Sequence, residues 1–303
     1  MAAREETGGG RKAVVLLLVL IGIIVAILVG LKAKGRVAVN RHVDGLGSKN
    51  ELVRKDAYDN LLALGDGAIP HIRRALKEQK GVGLGVAALL AGKLGDKKSA
   101  PRLMELVSDS DIVVRRNAIS ALGYLGATEA APEIIKSLDA KDRLLRRNAA
   151  WAVGRMGEAG KPAVPKLIKM FSDKKQPRDV RQACANSLGA LKDPSAAIPL
   201  TKVLDPNEYD LAVVAVRALG DIGSKDAVPK LSSFLMMRVA GGGDYVKQAS
   251  PDNIPPEVRK EVIVALRKIG GPKAKAAIKR CAETTESTTL RKLAQEALKE
   301  MEG

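Results

Sequence analysis

The sequence predicts an all-α protein built as a stack of helix pairs, and three observations predict it. Hydrophobic residues make up 46% of 303 positions but aromatics only 2%, so the apolar mass is Leu, Ile, Val and Ala, which suits helix-on-helix packing. A motif of the form V-R-x-x-A-x-x-A-L-G-x-L-G, a short break, then A-x-P-x-L recurs down the chain. Its last position falls at Gly65, Gly95, Gly126, Gly157, Lys192, Gly223 and Gly270, giving spacings of 30, 31, 31, 35, 31 and 47 residues. Such a step is the length of one helix pair.

Each half of the motif carries its own signals. One copy reads VVRRNAISALGYLG then AAPEIIKSL, and the next reads LLRRNAAWAVGRMG then AVPKLIKMF. In the first half Val114, Ala118, Ala121, Leu122 and Leu125 recur at helical spacing, and Gly126 is a natural C-terminal cap. Pro70, Pro101, Pro132, Pro165 and Pro229 open the second helices, where a missing N–H costs nothing. Asp109, Asp139, Asp173 and Asp205 close units and stand ready to cap the helix that follows. A single unit leaves one face uncovered, so stacking is obligatory.

These motifs resemble HEAT-like repeats of the phycobilisome-lyase type over roughly residues 48–303. The resemblance implies a right-handed α-solenoid of about seven helix pairs, used mainly to bind proteins. It also implies that the Arg after Val, here Arg54, Arg115, Arg146, Arg181 and Arg259, ties neighbouring repeats together through an Asp. Leu84 and Ala212 break that series.

Ahead of the repeats, residues 13–31 (AVVLLLVLIGIIVAILVGL) carry no charge. At 1.5 Å per residue they would form a helix about 28 Å long, close to the ~30 Å hydrocarbon core. The expectation is a single transmembrane helix, longer than the apolar core of a cleaved signal. It would follow a basic tail (1–12) and precede a juxtamembrane linker (32–47) and the repeat domain (48–303). Arg4, Arg11 and Lys12 lie before the span, and Lys32, Lys34, Arg36 and Arg41 after it. With the flanks so nearly balanced, the repeats are expected on the exported, periplasmic or extracytoplasmic side.

The formal charge is +17, of which residues 1–12 contribute only +1. A basic repeat surface attracts an acidic partner protein, anionic lipid or nucleic acid, and charge alone does not choose among them. An acidic protein is the expected partner. Four positions after the proline slot, consecutive repeats align Lys136, Lys169 and Lys202, a stripe that would grip it; solvated lysines on a helix face are the alternative. A second row, Lys55, Arg116, Arg147, Gln182 and Lys260, basic but for Gln182, is expected to be solvated. The long interval at 238–255, with Arg238 and Tyr245, and Trp151, at a position held elsewhere by Ser120 and Arg217, are further partner-contact candidates.

No catalytic apparatus is expected. Hydroxylases that resemble this repeat design need several His-Glu pairs for iron, whereas His42 and His71 are the only histidines and neither precedes Glu. No residue pattern marks a bilin site, and phosphate loops, nucleophile elbows and zinc-ligand spacings are absent from the sequence. No metal, cofactor or small-molecule substrate is implied. Cys184 and Cys281 are too few for a disulfide framework and, three units apart, are expected to be buried free thiols.

Overall fold

The computed structural model describes residues 37–204, 208–236 and 255–302, and every regular element among them is helical. A helix over 37–45 (α1) is followed by α2 (Glu51–Ala63), α3 (Ile69–Glu78), α4 (Gly81–Lys93), α5 (Ala100–Leu106), α6 (Ile112–Leu125), α7 (Ala131–Lys136) and α8 (Arg143–Val153). Next come α9 (Val164–Ser172), α10 (Arg178–Leu191), α11 (Ala197–Lys202), α12 (Tyr209–Ile222) and α13 (Val228–Met236). The chain closes with α14 (Pro256–Ile269), α15 (Gly271–Thr284) and α16 (Thr288–Glu300). The first helices of the motif are α2, α4, α6, α8, α10, α12 and α14, and the second helices are the odd-numbered ones that follow them. Short 3-10 turns such as Thr128–Ala130 and Lys225–Ala227 join the two helices of a repeat.

The chain divides into two compact units, the first running through Leu90 and the second from Ala91. In the first, Val43, Leu46, Ala57, Leu61, Ile72 and Leu76 form the core. Residues 37–45, expected within a linker, are helical. Asn40 in that helix accepts from Arg74 Nη2 at 3.0 Å, and its Oδ1 lies 3.0 Å from His71 Nδ1. In the second unit the first helices pack side by side in sequence order, α6 on α8, α8 on α10, α10 on α12 and α12 on α14. The second helices cover one flank of that row, with Leu103, Ile134, Leu167, Leu200 and Leu231 fully buried at the same repeat position. The α16 helix, which the motif does not announce, packs on α14 and α15 and buries Leu290, Ala294 and Ala297.

The predicted cap position is confirmed in every copy. Gly65, Gly95, Gly126, Gly157, Gly223 and Gly270 all have positive φ, and Lys192 is the only non-glycine residue with φ above zero among the described residues. The chain reverses from first to second helix there, and L side chains adopt that conformation only at a cost. Lys192, at φ 54° and ψ 33°, sits in the left-handed region. Lys192→Gly is therefore expected to stabilise the chain by about 1 kcal/mol, read as a rise of about 2 °C in the thermal midpoint.

The membrane assignment is corrected. Among the described residues no helix is long and apolar enough to cross a membrane. The longest have 14 residues, about 21 Å at the helical rise, and most turn a charged face outward. The segment 13–31 lies outside the described residues, as do Arg238, Tyr245 and all of 238–255 but its last residue. The membrane location, and the exported face inferred from it, are dropped.

Candidate protein-interaction surface

The arginine after Val does not reach an Asp of the next repeat in the copies where its bonds are clearest. Arg54 donates from Nη1 to the carbonyls of Ser48 (2.7 Å) and Lys49 (3.0 Å), and Arg115 to those of Asp109 (2.5 Å) and Ser110 (3.1 Å). Arg146 repeats the pattern on Ala140 (2.8 Å) and Lys141 (2.9 Å). The guanidinium clamps the loop that enters its own helix, satisfying loop carbonyls that have no helical partner. Arg181 differs: it is buried, donates from Nε to the Phe171 carbonyl at 2.8 Å and pairs through Nη1 with Glu208 at 3.2 Å, at the start of the next repeat. Arg259 is buried enough that desolvation lowers its guanidinium pKa from the ordinary value.

Two of the ties between repeats are made one residue later, by Arg116 and Arg147 of the row expected to be solvated. Arg116 grips Asp142 with both Nε (2.7 Å) and Nη2. Asp142 also caps α8 by accepting from the Leu145 N–H at 2.7 Å. The Arg116 hydrogen bond is the main reason its carboxyl is held below the usual carboxylate range. Arg147 and Arg143 converge on Asp179, and Arg178 reaches Asp210. Further on, Arg217 pairs with Glu261 and Lys268 with Asp221 around a shallow recess also lined by Val264 and Ala265. Lys55 is spent within its own helix on Asp59.

The lysine row stands in the open. Lys136, Lys169 and Lys202 are all exposed, each in the last turn of its second helix. There the negative end of the helix dipole favours a cation whether or not a partner binds. Lys136 pairs with Glu133 at 2.6 Å, a surface contact worth little. Lys169 and Lys202 have no ion-pair partner among the described residues.

Trp151 belongs to a cluster that single-residue reading missed. Its ring meets Tyr124 edge-to-face at 4.8 Å between centroids. The Arg155 guanidinium lies 5.2 Å from the Trp151 centroid and 5.9 Å from that of Tyr124, and Lys93 Nζ is 5.8 Å from Tyr124. Lys93, Tyr124 and Arg155 all stand two residues before the motif's last position; aligning copies by that slot would have shown the row.

Cys184 and Cys281 are buried and free, and burial pushes the Cys184 thiol up to about 12. Among the described residues no three His, Cys, Asp or Glu side chains come together as metal ligands.

Residues 84–154, 100–178 and 133–214 match HEAT repeats, and residues 211–235 match the PBS lyase HEAT-like repeat. These are HEAT repeats. Importin beta is similar over 86% of this chain and 39% of its own, at TM-score 0.62 and 14% identity. YibA of Escherichia coli matches over 86% of this chain and 91% of its own, at TM-score 0.56 and 17% identity. An engineered protein matches over 88% and 78%, at TM-score 0.54 and 20% identity. At such identities the likeness is one of fold, an all-helical, solenoid-like array of HEAT repeats. No curated protein matches the sequence closely.

Proposed function

We propose that this HEAT-repeat chain is a non-catalytic scaffold, wound as a right-handed superhelix, that holds an acidic partner protein within a larger assembly. One observation carries the reading: three successive second helices, α7, α9 and α11, present an exposed lysine at one repeat position, two of them without an internal counter-charge among the described residues. Recurrence of the cation at one position of successive repeats offers a row of ammonium groups to successive acidic side chains of one partner. HEAT repeats keep their core pattern while their surfaces vary, which suits a binding role. The buried, undissociated Cys184 thiol fits a structural part rather than a nucleophile's.

The test compares partners captured by the intact chain and by the triple variant Lys136→Glu, Lys169→Glu, Lys202→Glu. The expected result is one stoichiometric protein lost on charge reversal. Its retention by the variant would return the row to ordinary solvated surface. Capture of nucleic acid or anionic lipid instead, weakening steeply with salt, would replace the protein partner by a polyanion.

A further inference from the structure

The cluster around Trp151 is a second surface, on the first helices rather than the second, and it does not depend on the lysine row. Arg155 is exposed, yet it is held in place twice over. Its Nε donates to the Gly123 carbonyl at 2.9 Å, and its guanidinium lies over Trp151 and Tyr124. The terminal Nη atoms have no hydrogen-bond or ion-pair partner among the described residues. A guanidinium so tethered has lost its side-chain entropy already, and its planar edge matches a carboxylate in two parallel bonds.

The surrounding charge is one-sided. Neither α6 (IVVRRNAISALGYL) nor α8 (RLLRRNAAWAV) contains an Asp or Glu. Asp111 and Asp142, the caps of these helices, sit at their opposite ends. Glu158, close by in sequence, pairs with Lys161, and Asp96 accepts from Ser99. At the equivalent slot two repeats further on, the charge is neutralised internally by the Asp221–Lys268 pair. Here the slot carries a cation beside Tyr124, a residue that is 40% exposed.

We propose that Arg155, backed by Trp151 and Tyr124, is an anchor for an acidic segment of a partner protein. One carboxylate of that segment seats on the Nη edge and an adjoining apolar side chain lies against Tyr124. Trp, Tyr and Arg are the residues that most often dominate interface energetics, and neither α6 nor α8 supplies a carboxylate for this one.

Trp151 is the only tryptophan in the chain, so emission excited to the red of tyrosine absorption reports on this patch alone. The full chain is titrated with a synthetic peptide of alternating glutamate pairs and leucine, and separately with oligothymidylate. The expected result is a saturable change in emission with the peptide, weakened about tenfold by Arg155→Gln and also by Arg155→Lys, which keeps the charge but not the fork. Thermal unfolding of both variants confirms that they are folded. Failure of the lysine row is read by partner capture with the triple variant and failure of this site by Trp151 emission with the Arg155 variants, so the two are distinguishable. A flat titration, undiminished affinity in both Arg155 variants, or tighter binding of oligothymidylate than of the peptide would overturn the proposal.

Discussion

Gly154→Ala should melt about 4 °C below the native chain, a loss of about 2 kcal/mol. Helix propensity argues the other way, because alanine gains about 1 kcal/mol over glycine in a helix. Packing decides the sign. A Cβ on Gly154 would lie 2.7 Å from the Ser187 Cα and 2.6 Å from its Cβ. Backbone cannot give way there without parting α8 from α10, and the Ser187 hydroxyl, which donates to the Ala150 carbonyl at 2.6 Å across the same crossing, would be displaced. Circular dichroism melts test it, and Ser187→Gly in the alanine background should recover much of the loss. A single variant as stable as the native chain would mean that the helices can separate at little cost.

Arg181→Ala is expected to cost about 3 kcal/mol, seen as a lower urea midpoint at unchanged slope. The side chain is 6% exposed, so its removal strips the Phe171 carbonyl of a donor, leaves Glu208 without its counter-ion and opens a cavity beside the Phe171 ring. Arg181→Lys restores the charge without the fork and should fall between. A loss below about 1 kcal/mol would show that water or loop rearrangement replaces these contacts.

The two variants probe different kinds of legibility. That an arginine recurs after Val could be read from its periodic spacing. What it touches could not: Arg54, Arg115 and Arg146 turn back onto their own loops, and the neighbouring Arg116 and Arg147, expected to be solvated, carry two of the inter-repeat ion pairs. Trp151 was singled out as a contact residue, but Arg155 and Tyr124 were not. One charged residue in one copy looks like any other solvated side chain until its neighbours from adjacent repeats are beside it. The helices at 37–45 and at α16 fall outside the repeated motif, so no periodic signal announced them.

The glycines of A-L-G-x-L-G divide the matter most clearly. By itself the sequence determined that the last one caps a helix, and even that Lys192 stands in the same place, because positive φ is a property of a residue's own sterics at a helix end. The first glycine of the motif has ordinary helical geometry, and only the tertiary structure shows why it is small. Gly123, Gly154, Gly189 and Gly220 each face Ala152, Ser187, Ala218 and Ala265 of the next first helix, with hypothetical Cβ atoms at 2.7–2.9 Å from their Cα atoms. Residues some thirty positions apart meet there, and their contact depends on how far each helix is turned and shifted against its neighbour, which every side chain in the crossing decides together.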